Sequence, residues 1–186
     1  MSNEASGAIA RTAGDDAGPL GYLALGLTLL ATGLLSTGIL SGAGLKDAAS
    51  VAHLVGGLTL FIAGLWQFRS GDRFSGTAFT GLGAFWAAWS EGAGASKNAA
   101  GLFLLLWALL ALTLALAAWR SGLFSRLVYG LLTVSLVLNA IATFGGSDGL
   151  GKVAGWFAAA SGLAAWYWAT ATLANIGWAK SLLPLK

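Results

Sequence analysis

Apolar residues gather in six long runs, at 20–40, 51–68, 74–89, 99–119, 127–144 and 153–174, with short polar loops between them. A helix crossing the hydrocarbon of a bilayer needs about 20 mostly apolar residues. Each run therefore predicts a membrane span, the second and third being short for the task. The loops SGAGLKDAAS, RSGDR, SEGAGASKN, RSGLFSR and GGSDGLGK leave no room for an extramembrane catalytic domain. The expected fold class is an all-α integral membrane protein with six transmembrane helices around a central path. Residues 1–18 read as a polar tail, 19–179 as the membrane domain and 180–186 as a short C-terminal tail. The N-terminal stretch has mixed charges and no hydrophobic core, unlike a signal peptide.

The third run departs from the greasy pattern. FSGTAFTGLGAFWAAW mixes Ser75, Gly76, Thr77, Thr80, Gly81 and Gly83 with five aromatic rings. A helix that gives up so much apolar surface is expected to turn one side toward a narrow water path. No Asp, Glu, Lys or Arg lies in the middle of any run. A charge there costs about 2.5–3.5 kcal/mol on insertion scales, which proton pumps and strongly coupled carriers accept. A path through this chain must use neutral groups, which favours a small solute that is neutral or weakly acidic. The polar candidates are Gln67, Thr77, Thr80, Thr133 and Asn139. Thr77 and Thr80 are three residues apart and share nearly one helical face. Each also has a packing reading: Thr can bond its own helix's carbonyls, and Asn can join helices.

Composition agrees with the pattern. Of 186 residues, 57% are hydrophobic and 9% charged, against about a quarter charged in soluble domains. With no cysteine there is no disulfide or thiolate chemistry, and one histidine builds no His-based metal site. No HExxH, P-loop or GxGxxG motif is present, and no nucleophile–base pair, so no enzyme, cofactor or metal is expected. A net charge of +3, evenly spread, does not suggest nucleic acid. Arg11, Arg69, Arg73, Arg120, Arg126, Lys180 and Lys186 share one side of a six-span topology, against Lys46, Lys97 and Lys152 on the other. Seven against three places both termini in the cytoplasm of a multi-pass cell-membrane protein.

Local signals refine the elements. Pro19 suits the start of the first helix, with Asp15 or Asp16 as its cap. FRSG and WRSG predict glycine-capped helix ends at Gly71 and Gly122. Gly38-xxx-Gly42 and Gly151-xxx-Gly155 predict close helix approach. Trp66, Trp119 and Trp178 fall where interfacial anchors belong. Trp86, Trp107, Trp156 and Trp166 fall deeper, as packing or path wall.

The stretch AGLWQFRSGDRFSGTAFTGLGAFWAAW resembles the acetate uptake transporter family, the six-span acetate/succinate permeases. The shared pattern is Ala63-Gly64, a basic-Gly turn at Arg69–Gly71, then Thr77-Ala78-Phe79-Thr80, Gly83 and Phe85-Trp86. Collinear with it are Pro19-Leu20-Gly21, Leu106-Trp107, Ala154–Trp156, Ser161–Tyr167 and Leu182–Pro184. The resemblance implies a homo-oligomer, usually a hexamer, in the lipid bilayer, each subunit holding its own path. It implies passage of acetate and similar short monocarboxylates, with protons or by channel-like flow. The family's constriction maps by position onto Leu25, Leu82 and Leu132, three leucines without the family's tyrosine hydroxyl. Other path residues implied are Pro19, Leu20, Gly21, Phe85 and Trp86. Gln67 stands where the family has Glu, and Asp16 and Ala17 replace its Asn and Pro. A leucine ring offers a bare carboxylate nothing, so the protonated acid is the species expected to pass. Two other readings remain: a channel for urea, an amide or ammonia, and a sealed, non-transporting membrane scaffold.

Overall fold

Pro19 sits in the first turn of helix α1 (Gly18–Thr37), where its missing N–H costs nothing. The computed structural model describes residues 17–40, 42, 47–91, 96–178, 183 and 184. The expected caps Asp15 and Asp16, and the two polar tails apart from residues 17, 18, 183 and 184, lie outside the described residues. The N-cap position itself is Ala17, with no side-chain cap. Helix α2 is a continuous rod in three pieces: an α turn (Ala49–Val51), a π-helical stretch (Ala52–Thr59) and an α-helix (Leu60–Ser70). Then follow α3 (Arg73–Glu91), α4 (Lys97–Ala117, ending in the 3-10 turn Ala118–Arg120), α5 (Leu123–Gly145) and α6 (Asp148–Gly177). All regular structure among the described residues is helical, and each of the six expected runs is helix except for residues 38–40 at the end of the first. Gly18–Thr37, Lys97–Arg120 and Leu123–Gly145 are long and apolar enough to cross a membrane by length and composition.

The helix ends follow the expected chemistry only in part. Gly71 caps α2 in the left-handed conformation, φ 89°. Gly122 does not cap α4, which ends in its 3-10 turn at Ser121. It lies at φ 116° as the N-cap of α5. Gly38 and Gly42 likewise take left-handed turns, with φ 76° and 82°, rather than packing a helix face. Gly151 faces open space.

Of the four glycines expected to pack, Gly155 does make the expected close approach, and the rest of the seam lies elsewhere. Gly26 and Gly33 of α1 meet Gly162 and Gly155 of α6. A β-carbon on Gly33 would stand 2.6 Å from Ala159 N and 2.8 Å from Gly155 O. One on Gly162 would stand 2.7 Å from Leu30 N and 2.8 Å from Gly26 O. The pairing 26 with 162 and 33 with 155 is antiparallel and sets backbone against backbone. Where apolar side chains gain nothing by leaving lipid, such contact is a main source of helix association. Two cross-helix hydrogen bonds join α5 to α6: Ser161 donates to Val128 O at 2.7 Å, and Ser135 to Ala154 O at 2.9 Å. On the other side, Gly57, Gly64 and Gly83 seat α2 against α3. In the π stretch Thr59 donates to the carbonyl five residues back, Leu54 O, at 3.1 Å. There Gly56 rests on Thr28 and the Trp86 ring.

Apolar surface is turned outward along α2 (Leu54, Leu58, Phe61, Leu65) and α4 (Leu102, Leu105, Leu109, Leu116). Trp66, Trp119 and Trp178 are exposed near helix ends, as anchors should be. Trp156 and Trp166 are also exposed, 53% and 39%, and so wall no interior path.

Candidate functional site

The helices alternate in direction, so the ends of α1 and α5 and the starts of α4 and α6 meet at one end of the bundle. They surround an open vestibule of about 510 Å³, lined by Ser36, Lys97, Asn139, Thr143, Asp148 and Lys152 among others. Below it lies a chamber of about 200 Å³. Ser36, Asn139 and Thr143 line both cavities, so they form the neck between them. The chamber wall continues with Thr32 and Leu29 of α1, Ser135 and Leu132 of α5, Leu104 of α4 and Ala158 of α6. Phe85, Trp86 and Trp89 of α3 complete it.

The aromatic wall is held by ring contacts. Phe85 stacks on Phe103 at 5.6 Å and meets Trp107 edge-on at 5.6 Å; Trp86 meets Trp89 at 5.7 Å. Trp86 Nε1 is buried and lacks a hydrogen-bond partner.

The polar groups of the wall have a consistent polarity. Thr32 donates to Thr28 O at 2.8 Å, Ser36 to Thr32 O at 2.7 Å and Thr143 to Asn139 O at 2.7 Å. Ser135 gives its proton to Ala154 O. A carbonyl oxygen only accepts, so these hydroxyls have spent their single donor. What they turn to the chamber is lone pairs. The chamber's hydroxyls are therefore acceptors, its donors are the Asn139 amide and the Trp86 N–H, and among the described residues its lining has no charged side chain.

Its floor is closed. Leu25, Leu82 and Leu132 are 0%, 1% and 2% exposed and share the core. Leu132 borders the chamber directly. Leu25 and Leu82 lie one turn beneath Leu29 and Phe85–Trp86, which border it. A second layer follows at a constant offset. Tyr22, Phe79 and Tyr129 each precede one of the leucines by three residues. Tyr22 meets Phe79 edge-on at 5.2 Å and Trp168 at 4.4 Å; Phe74 meets Tyr129 at 5.6 Å. The Tyr129 hydroxyl donates to the Tyr22 hydroxyl at 3.4 Å. The sequence reading expected no phenol at the constriction. The structure sets two of them one turn away, and the shared three-residue spacing on three helices was the signal that pointed to them.

The remaining expected path residues separate from the chamber. Leu132, Phe85, Trp86 and Asn139 line it. Thr77 is exposed and donates to Arg73 O at 2.8 Å. Thr80 is pressed against Gly64 on the α2–α3 seam, its buried hydroxyl unpartnered. Thr133 donates to Tyr129 O at 2.7 Å, outside the chamber. Gln67 is buried near the opposite helix ends, where its side-chain oxygen accepts from Ser70 at 2.9 Å. Pro19 is buried, Leu20 is exposed, and Gly21 lies beneath the Phe79 ring. Thr32, Ser36, Ser135, Thr143 and the two lysines are chamber or vestibule residues that the sequence reading did not single out.

Comparison with known proteins places this architecture. A single family profile, described as the GPR1/FUN34/yaaH family, matches residues 4–181. The chain belongs to the GPR1/FUN34/yaaH family. Within it, the chain is 28% identical over 176 residues to the succinate-acetate/proton symporter SatP of Escherichia coli K12, covering 90% of this chain and 93% of that one. It is 29% identical over 137 residues to ammonia transport outward protein 2 of Saccharomyces cerevisiae, covering 61% of this chain. The chain spans only 49% of that yeast relative's length. Its fold is that of the solved bacterial acetate channel SatP: TM-score 0.85, 24% identity, covering 92% of this chain and 98% of the other. The resemblance read from the span-three motif is borne out, and with it a membrane-transporter kinship.

Proposed function

We propose that this chain is a six-span membrane transporter, both termini cytoplasmic, that passes acetate and similar short monocarboxylates as the protonated acid. The observation that carries the reading is an uncharged chamber whose four hydroxyls have spent their protons on backbone carbonyls. A carboxylate has no proton to give these hydroxyls, and two neutral donors, Asn139 and Trp86, without a cation leave most of its desolvation cost uncompensated. A carboxylic acid brings one O–H donor, which Thr32, Ser36, Ser135 or Thr143 accepts. The unpartnered Trp86 N–H is the complementary donor, suited to the acid's carbonyl oxygen. Kinship with a succinate-acetate/proton symporter supports a carboxylate moving with its proton. Leu25, Leu82 and Leu132 serve as the constriction, with the Tyr22–Phe79–Tyr129 plate beneath. With both termini cytoplasmic, this path would be closed toward the cytoplasm and open through the vestibule. The apolar faces of α2 and α4 suit lipid or neighbouring subunits of a homo-oligomer, a hexamer by the family resemblance.

The test is uptake of labelled acetate by liposomes over a pH series at fixed total acetate. Flux falls about tenfold per pH unit above the acid's own pKa when the neutral form moves. Flux that stays constant with pH, tracking the anion, refutes the proposal. One other reading has support of its own. Ammonia and amides are also donors suited to the chamber's accepting hydroxyls, and one relative is named for ammonia export. Competition by methylammonium or acetamide against acetate in the same vesicles separates the two.

A further inference from the structure

The vestibule inverts the chemistry of the chamber below it. Where the chamber offers acceptors, Lys97 and Lys152 offer six ammonium donors and two positive charges to one cavity. Lys97 is the first residue of α4 and Lys152 lies near the start of α6, positions where the helix dipole disfavours a cation. Their tips lie over the far ends of other helices. Lys97 Nζ is 3.5 Å, and Lys152 Nζ 3.9 Å, from where β-carbons would stand on Gly146 and Gly38, the left-handed caps of α5 and α1. Neither ammonium is engaged in an ion pair among the described residues. Asp148 is the acidic side chain in the same cavity, so its lining keeps a positive balance. Two cations without an ion pair among the described residues, at a mouth that narrows through Ser36, Asn139 and Thr143, form an anion trap above a neutral path.

We propose that this vestibule is a capture site for short carboxylates in their ionised form, held by Lys97 and Lys152 before they enter the chamber. The inference rests on the transport reading in supposing that the captured solute then moves inward. The charge change needed is small and balanced. The bound carboxylate takes one proton from the aqueous solution outside, forming one O–H bond, and the neutral acid passes the neck. The lysines concentrate the anion, the form that dominates at neutral pH, at the entrance to a conduit that only the acid can traverse. Electrostatic focusing of this kind raises local ligand concentration and fades with added salt.

The test separates capture from transport. Binding of 13C-acetate to the full-length, detergent-solubilised protein at pH 7 is followed by NMR line broadening. The proteins compared are wild type, Lys97→Gln, Lys152→Gln, both together, the paired Lys→Arg variant, and Arg126→Gln as a charge control at the opposite helix end. Each Lys→Gln change weakens binding about threefold, as for exposed charge pairs, and the double change about tenfold. The paired Arg variant retains binding, sodium chloride weakens it, and acetamide binding is indifferent to all of these changes. Acetate binding that is unaltered in the double Gln variant, or weakened equally by Arg126→Gln, overturns the capture site. In liposomes the same lysine variants raise KM for acetate with kcat unchanged. Lysine-dependent binding in a protein that carries no acetate would sink the transport reading and leave the capture site standing. Normal flux with lysine-independent binding does the reverse.

Discussion

Gly26→Ala is the sharpest test of how this bundle is held together. The new β-carbon would stand 2.8 Å from Trp166 N, 2.9 Å from Gly162 O and 3.2 Å from Trp166 Cα. All three are backbone atoms of α6, so no rotamer change relieves the clash. Ordinary contact begins at 3.4 Å, so α1 and α6 must part by about 0.6 Å, the difference between 3.4 and 2.8. A gap of that size forfeits roughly a quarter of each dispersion well along the seam. Overpacking of this kind costs about 1–3 kcal/mol, while alanine returns up to about 1 kcal/mol of helix propensity. Gly130→Ala supplies the internal control. It lies in the interior of α5 with nothing within 4 Å of the new carbon, so it gains the propensity and meets no clash. The difference between the two variants cancels propensity and leaves about 1–3 kcal/mol. That is a 5- to 150-fold difference in unfolding equilibrium, on the scale of about 1.4 kcal/mol per decade. The chain has nine tryptophans, so intrinsic fluorescence during SDS unfolding in mixed micelles is a direct readout. If the two variants prove equally stable, the glycine seam is not what joins α1 to α6.

Three further outcomes test the site. Leu82→Ala thins the closure and raises acetate flux at a stability cost of about 2–5 kcal/mol; a working transporter conducts before the change, a sealed scaffold only after it. Thr80→Val removes a buried hydroxyl with no partner, so stability holds or rises, by up to about 1 kcal/mol, and acetate KM stays constant; a raised KM would return Thr80 to the path. Ser36→Ala and Thr143→Val each delete one acceptor at the neck. Each raises KM for acetate at low pH about 2- to 10-fold, and an unchanged KM would refute the acceptor argument.

The helices were legible because each apolar run is a complete physical unit. The backbone must satisfy itself within lipid, and only a helix does so segment by segment. The seam was legible only at Gly155. GxxxG spacing drew attention to Gly38 and Gly42, yet a glycine near a helix end serves equally as a left-handed cap, and Gly38 does. Gly155 of the other GxxxG pair does sit in the seam, but its partner Gly33, and Gly26 seven residues before that, carry no such spacing and only the α6 backbone reveals them. The same limit applied to the polar groups. Thr77, Thr80 and Thr133 share a residue type with Thr32 and Thr143. What separates them is whether the side chain faces the chamber, a neighbouring helix or the outside, a matter of helix rotation that composition does not encode. The leucine layer is marked by family position, whereas the phenols beneath it are marked only by their shared three-residue offset from those leucines.

If the three leucines are the closure proposed above, it has a strong side and a weak one, and these predict how it would open. Leu25 and Leu132 belong to α1 and α5, both tied to α6, one by backbone contact at the glycines and one by two buried hydrogen bonds. Leu82 belongs to α3, which packs chiefly against α2. Against α4 it relies on ring contacts, Phe85 with Phe103 and Trp107, which slide more easily than hydrogen bonds break. The adjoining part of α2 is the π-helical stretch, where the backbone already departs from regular α geometry. Opening is therefore expected as displacement of α2 and α3 together, carrying Leu82 and Phe79 away from a fixed α1–α5–α6 wall. The chain has no native cysteine, so spin labels on paired introduced cysteines report the motion without background. Labels at exposed Thr77 on α3 and exposed Val134 on α5 should spread to longer distances when acetate is added at low pH. Labels at exposed Leu27 on α1 and exposed Leu163 on α6 should keep theirs. Acetate-dependent change in the second pair, with none in the first, would mean that the glycine seam moves and the leucine layer opens by another route.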